Sequence, residues 1–364
     1  MRVLHFSSAQ TWRGGEQQIA YLFEELEKLG VQQWIFCSKG SALAAHCLFQ
    51  NWPHFTYWKG FSINPFIGFQ LKKLCAQLNV DLVHLHDSHS HTFAYMSALV
   101  GNQTPYILSR RVDFPVKNSV FSRKKYNHSS IKKIISVSHK VQAILAPAIK
   151  DATKLKVVHS GIDLSKFKYE STRILRKEFG VPDTTSLIAN VAAIAPHKDY
   201  FTFVNTAAIL LEKNTNLQFF IIGADGGEAT AIQTYIEKKE LQPFITSIGF
   251  RKDIPQILPE IDVFLFTSKE EGLGTAVLDA LACRVPIVAT NAGGIPEMIT
   301  HQRNGLLAPV GDSLQLAKHV ATVLTEKEIA NNFIENGEVV VQSFDKAKTA
   351  KKTYDIYRNC LSTF

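Results

Sequence analysis

Two α/β domains, each a mostly parallel sheet covered by helices on both faces, are what this sequence predicts, and three observations carry that prediction. The chain has 364 residues, more than one ordinary domain and enough for two that each bury a core. Short apolar runs alternate with stretches of helical spacing along nearly its whole length. The alternation pauses after KVVHSGID at 156–163, where Gly161 marks a tight turn, and restarts at residue 187.

In the first half the spacing predicts a strand over 3–7, a break at Gly14 and Gly15, a helix over 17–29 ending at Gly30, and a strand over 34–38. Helices over 65–78, 92–100 and 141–149 then alternate with strands over 81–85, 106–109 and 132–137. The second half predicts strands over 187–193, 218–223, 245–249, 263–267 and 287–290. Helices over 201–211, 229–238, 254–258, 276–282 and 314–324 separate or follow them. A basic helix over 344–361, with Tyr354 and Tyr357 on one side, closes the chain. The expected organisation is a first domain over 1–165, a second over 166–343, and a tail helix over 344–364. In open α/β sheets ligands bind beyond the carboxyl ends of the strands, so the loops after each strand are where chemistry is expected.

Composition narrows the class. With 46% hydrophobic and 20% charged residues, and no tract of about 18 apolar residues, a globular, non-spanning protein is expected. The apolar run at the start is too short for a signal-peptide core, so cytoplasmic residence is expected. Five scattered cysteines without a Cys-x-x-Cys pair argue against both a disulfide framework and a zinc ribbon. Charge is uneven: residues 1–165 hold 19 Lys and Arg against 9 Asp and Glu, whereas 166–364 hold 21 against 23. The first half is therefore expected to meet something anionic. No RNA- or DNA-binding motif accompanies the charge, so nucleic acid is not expected as a partner.

The strongest local signal is TSKEEGLGTAVLDA at 267–280, followed by PIVATNAGGIPE at 286–297. A strand ends, carboxylates and glycines form a loop, and a helix starts near Thr275 with its unpaired amides turned back into that loop, which is an anion site. Glu271 precedes the helix and Asp279 lies about one turn inside it. The bland alternative is a capped helix with acids near its positive end. A second string, HLHDSHSH at 84–91, places His84 and His86 on the same side of a strand, which invites a metal reading. Imidazoles at a strand end are equally suited to sugar hydroxyls, so no metal is expected there.

The spacing of Glu271 and Asp279 around Gly-Leu-Gly, then GGIPE at 293–297 and NGLL at 304–307, resembles the donor-binding region of retaining glycosyltransferase family 4. Gly14-Gly15-Glu16 matches that family's glycine loop after the first strand, and Lys198 its lysine after the first strand of the second domain. The resemblance covers nearly the whole chain. It implies the GT-B fold: two Rossmann-like domains facing across a cleft, with the acceptor on the first, a nucleotide-sugar on the second, and the C-terminal helix crossing back to the first.

It also implies roles. Glu271 contacts the donor sugar near its anomeric centre, and Asp279, one methylene shorter than the usual Glu, accepts from the ribose hydroxyls. Gly272, Leu273, Gly274 and Thr275 hold the donor phosphates through their amides, with Gly14 and Gly15 closing over them. Lys198 neutralises the diphosphate. The arginine that commonly sits five positions earlier is Ala193 here, and Arg251, Arg110 or Arg111 are the candidates to supply the missing charge. Arg111 is placed with Glu271 and Lys198 in the catalytic set, and His86, Asp87 and Arg110 line the acceptor side. For Arg110 and Arg111 a solvated basic loop is the competing reading. The family's chemistry implies no metal or other cofactor.

The expected activity is transfer from a nucleotide-sugar to a glycan or lipid-linked acceptor with retention, in cell-envelope polysaccharide or lipopolysaccharide synthesis. The rival reading is a non-catalytic nucleotide-sugar or carbohydrate-binding protein on the same scaffold. Between 110 and 140 nine basic residues stand against the single acid Asp113, interleaved with Phe114, Val116, Val120, Phe121 and Tyr126. That pattern predicts a peripheral contact with an anionic membrane surface at its inner face.

Overall fold

The structure is a computed structural model that describes residues 1–60, 64–167 and 173–362. The chain forms two compact units, Met1–Gly161 with Lys346–Phe364, and Ile162–Asp345. The sequence placed its boundaries at 165 and 343, and the units part after Gly161 and after Asp345. The second unit closes on itself there: the Ile162 amide donates to the Phe344 carbonyl at 2.9 Å.

The first unit runs β1 (Arg2–Phe6), α1 (Gly14–Lys28), β2 (Gln32–Ser38), α2 (Ala42–Phe49), β3 (His54–Tyr57), α3 (Pro65–Gln77), β4 (Leu82–Leu85), α4 (Ser88–Leu99), β5 (Tyr106–Arg110), α5 (Val120–Tyr126), β6 (Ile131–Ser136), α6 (His139–Leu145) and β7 (Leu155–Val157). Its seven strands lie in the order β3-β2-β1-β4-β5-β6-β7. Every described pairing is parallel, with Leu4 opposite Val83 and His5 opposite His84. Strands such as β4 are buried along their length because helices cover both faces. On one face Ile67, Leu71, Phe93 and Tyr126 from α3, α4 and α5 pack on Leu4, Val83 and Ile134.

The second unit continues with α7 (Ile174–Phe179), β8 (Ser186–Val191), α8 (Tyr200–Leu211), β9 (Leu217–Ile222), α9 (Ala229–Lys238), β10 (Ile245–Gly249), α10 (Ile254–Ile257), β11 (Val263–Phe266), α11 (Thr275–Ala282), β12 (Ile287–Thr290), β13 (Leu306–Ala308), α12 (Ser313–Thr325) and α13 (Lys327–Val341). Its sheet order is β10-β9-β8-β11-β12-β13, again parallel. On one face a core cluster joins Phe203, Phe219, Ile221, Leu265, Leu316 and Phe333.

The tail helix α14 (Lys346–Leu361) belongs to the first unit. It covers the face opposite α3 and α4, where Ala350, Tyr357 and Cys360 pack with Leu22, Leu26, Leu82 and Ile107. One local expectation is corrected: Gly14 and Gly15 do not form a loop but open α1, three residues before the expected start. The cause is a capping arrangement in which the Arg13 amide donates to the Glu16 carboxylate at 3.1 Å, satisfying a donor that the helix start would leave open.

Candidate active site

In the second unit the strand order reverses between β8 and β11, the switch point at which doubly wound sheets bind ligands. The loop after β8 carries Lys198 and the loop after β11 carries Glu271. The Lys198 ammonium donates to the Glu271 carboxylate, and each side chain is only 13% exposed. Ser268 Oγ donates to the same carboxylate oxygen at 3.2 Å.

The two loops are tied backbone to backbone. The Lys269 amide donates to the His197 carbonyl at 2.8 Å, and Thr267 Oγ1 bonds the Lys198 and Asp199 carbonyls at 3.1 Å each. Buried Asp199 caps α8 through Thr202 and pairs with Lys269 at 3.2 Å. A third loop, after β12, clamps Glu271 from the other side. The Gly294 amide donates to the Glu271 carbonyl at 3.0 Å, and Gly293 has φ +52° with room for no side chain, since an added Cβ would lie 1.8 Å from that carbonyl.

Next to Glu271, α11 begins after Gly274, whose φ of +91° turns the chain into the helix. Among the described residues the Gly272, Leu273 and Gly274 amides donate to no acceptor, so this helix start offers open N–H groups to an anion. Asp279, one turn in, is half-buried. Burial pushes its carboxyl up to about 7, against a smaller pull from Lys166. No hydrogen bond joins it to Glu271 among the described residues. Arg251 is placed differently from the sequence expectation. Its guanidinium is occupied by Glu178 at 2.8 and 2.9 Å and by Asp253 at 2.7 and 2.9 Å, which raises its pKa further and leaves it little to offer a phosphate.

The first unit gathers a second cluster at its own switch point, between β1 and β4. His5 Nδ1 meets His86 Nε2 at 3.1 Å, and His5 Nε2 meets Gln33 Oε1 at 2.9 Å. His84 is held between Ser109 Oγ at 2.8 Å and the Tyr357 hydroxyl of α14. Burial drives all three imidazoles well below the usual histidine range, and the Arg111 cation lowers His84 and His86 further. Their ring nitrogens lie within 4.8 Å of one another, close enough to hold a metal ion. Both nitrogens of His5 and of His84 already have partners, and the neighbouring guanidinium disfavours a cation.

Arg111 stands at the end of β5, its stem 3.8 Å from the position of a Cβ on Gly15 and its NH1 3.4 Å from Ser160 Oγ. Burial lowers it to about 10, opposed by the Glu16 carboxylate. The solvated-loop reading of Arg110 is overturned: it is buried and donates to the Tyr126 hydroxyl at 3.0 Å and to the Phe114 carbonyl. Asp87 lines the same cavity as His86 and Arg110, but its carboxylate is committed. It accepts from the Ser8 amide and hydroxyl and from the His89 and Ser90 amides, capping α4 and fastening the β1 loop to it.

Comparison with known proteins decides the family. Residues 12–166 match the model of glycosyltransferase family 4, and residues 171–340 that of the glycosyl transferases group 1. The chain belongs to that family. The chain is 23% identical over 299 residues to the N-acetyl-alpha-D-glucosaminyl L-malate synthase of Bacillus anthracis, covering 80% of this chain and 78% of that one. It is 26% identical over 208 residues to an Escherichia coli UDP-Gal:alpha-D-GlcNAc-diphosphoundecaprenol alpha-1,3-galactosyltransferase, covering 54% of each. Among solved structures, Anabaena HepE in complex with UDP and glucose superposes with a TM-score of 0.87 at 18% identity, over 98% of this chain and 99% of that one. The fold is therefore GT-B, built from two Rossmann-like units.

Several residues of this family 4 glycosyltransferase escaped the sequence reading. Tyr357 reaches His84 across 273 positions of chain, Ser268 acts as a partner of Glu271, Asp199 pairs with Lys269, and Gln33 holds His5. For His5 a signal was present: it lies between Leu4 and Phe6 on an interior strand, where a polar residue needs a buried partner.

Proposed function

We propose that this glycosyltransferase takes a sugar from a nucleotide-sugar bound by the second unit and transfers it, with retention, to a glycan or lipid-linked acceptor bound by the first. The observation that carries the reading is the Lys198–Glu271 pair set beside the open amides of α11. A donor diphosphate entering there takes the Lys198 ammonium away from Glu271 and completes its charge with the amides of Gly272, Leu273, Gly274 and Thr275. Glu271 is then released to face the positive charge that develops on the sugar ring, an interaction stronger in the transition state than before it. Asp279 accepts from the ribose hydroxyls, and Arg111 is the second cation of the catalytic set. These groups supply the charge that a metal would otherwise bring, so the reaction runs without one.

One relative named above is a UDP-Gal galactosyltransferase with a diphosphoundecaprenol acceptor, and HepE holds UDP and glucose, which supports a UDP-hexose donor and a place in cell-envelope polysaccharide or lipopolysaccharide assembly. No helix among the described residues is long and apolar enough to cross a membrane, and the enzyme works as a peripheral protein at the inner face. The test is a panel of nucleotide-sugars with and without a chelator, followed by the anomeric configuration of the product. Release of nucleoside diphosphate should survive chelation, and Glu271→Gln should abolish transfer while keeping nucleotide affinity. Binding without turnover in the native chain would instead favour a carbohydrate-binding role.

A further inference from the structure

A cavity of about 530 Å³ opens in the first unit beyond the ends of β4 and β5. Its walls are largely apolar, including Leu108, Phe114, Phe121 and Tyr126, yet two buried cations line it. Lys125 and Arg110 are each 7% exposed. The Lys125 ammonium donates to Thr92 Oγ1 at 3.0 Å and to the Ser88 carbonyl at 3.3 Å, two of its three donors. Arg110 uses two of its five, on Tyr126 and Phe114, and its guanidinium lies 5.0 Å from the Phe114 ring centroid.

Neither cation forms an ion pair with a carboxylate among the described residues. The lining acid, Asp87, has its oxygens occupied by four donors from Ser8, His89 and Ser90. Lys117 and Arg111 add further positive charge to the lining. Two unpaired cations held together in an apolar wall are costly unless something brings the opposite charge. Burial and then the Arg110 charge lower Lys125 to about 8, against a smaller upward pull from Asp87.

We propose that this cavity seats a phosphoryl group of the acceptor, held directly by Arg110 and Lys125. The proposal rests on the glycosyltransferase reading and names the acceptor's chemical class. A phosphate monoester carries close to two negative charges, matching the two cations, and its three terminal oxygens meet a point-charge ammonium and a planar guanidinium fork together, where a carboxylate brings one charge. The space exceeds what a phosphate fills, which leaves room for the group that carries it beside Leu108, Phe114 and Phe121.

Calorimetry on the full chain with phenyl phosphate tests this, with phenol as the uncharged control and UDP titrated in parallel. Phenyl phosphate should bind and phenol should not. Lys125→Met and Arg110→Met should each weaken phenyl phosphate about tenfold or more, the range for a charged hydrogen bond, with UDP affinity unchanged. Should the methionine variants fail to fold, Arg110→Lys keeps the charge but loses the fork and should still weaken binding. Unaltered phenyl phosphate affinity in variants that retain UDP, or competitive displacement of phenyl phosphate by UDP, overturns the proposal. Vesicles of phosphatidylcholine doped with phosphatidic acid separate the sources: competition with phenyl phosphate assigns a lipid-borne phosphate, and its absence a soluble one, either result upholding the seat. Absence of sugar transfer from any nucleotide-sugar would sink the glycosyltransferase reading while leaving the phosphate result in place.

Discussion

Between about pH 4 and pH 7 Asp279 is expected to hold a proton that an unfolded aspartate has released. Its carboxyl sits at about 7 because burial in the first turns of α11 outweighs the Lys166 charge, against 3.8 for the free side chain. The folded chain therefore binds more protons than the unfolded one between about pH 4 and pH 7, so Asp279 makes stability fall as pH rises through that window. Asp279→Asn removes the dependence. It should raise the melting temperature at pH 8 and leave it nearly unchanged at pH 4, and parallel melting curves for the two proteins across this range would refute the assignment. The ligand effect has the opposite sign. A vicinal diol donates two hydrogen bonds, and only the ionised carboxylate accepts both, so nucleotide affinity in the native chain should climb as pH passes 7. The Asn variant should bind more weakly at pH 8 and show no climb.

At the scale of elements, three loops are held to one another around Glu271 at the carboxyl end of the second sheet. Gly293 is the tightest point, since an added Cβ would stand 1.8 Å from the Glu271 carbonyl at a φ of +52°. Gly293→Ala should cost about 1–3 kcal/mol in stability and reduce kcat/KM by displacing Glu271. Gly14→Ala is the contrast: its added Cβ meets nothing within 4 Å in the first turn of α1, and stability should hold or rise. Denaturant titration of both variants checks the pair; equal losses would mean that the Glu271 clamp is not special. The same elements show what was legible beforehand. Strands such as Ile245–Gly249 and Ile287–Thr290 and the helix Ala229–Lys238 were readable because turns bound them and periodicity or burial marks them. The strand His54–Tyr57 was not, since it lies at the sheet edge with Phe55 and Thr56 exposed, and Leu306–Ala308 is too short to show a period. Helix Lys327–Val341 hid behind its asparagines and Gly337. In the site, Glu271 and Asp279 are marked by the loop-to-helix pattern around them, whereas Lys198 was marked only by the resemblance to family 4. The burial of Lys125, the acids around Arg251 and the reach of Tyr357 depend on tertiary contacts that no local window contains.

Across the whole molecule the excess positive charge lies in residues 1–165, and the structure sorts which of those groups can meet a surface. Lys125 cannot, because it is buried against Thr92, and Tyr126 belongs to the core. Val120, Phe121 and Phe114 do remain exposed, and so do Trp58 just past β3 and Phe66 and Phe69 in the first turns of α3. Each of these follows the carboxyl end of a strand in one parallel sheet, so they share an edge of the first unit, with Lys117, Arg123 and Lys124 among them. An apolar rim set among lysines suits an anionic bilayer, where each basic residue near the surface is worth about 1 kcal/mol. Sedimentation with vesicles should therefore show binding that requires anionic lipid and falls with salt. Changing Lys117, Arg123 and Lys124 together to Ser should weaken it, without loss of nucleotide binding by the second unit. Replacing Lys125 belongs to a different experiment, because its effect would be felt inside the cavity rather than on the surface. Equal retention on neutral and anionic vesicles at low salt, or none on either, would remove the membrane from the account and leave the charge of the first unit to the acceptor alone.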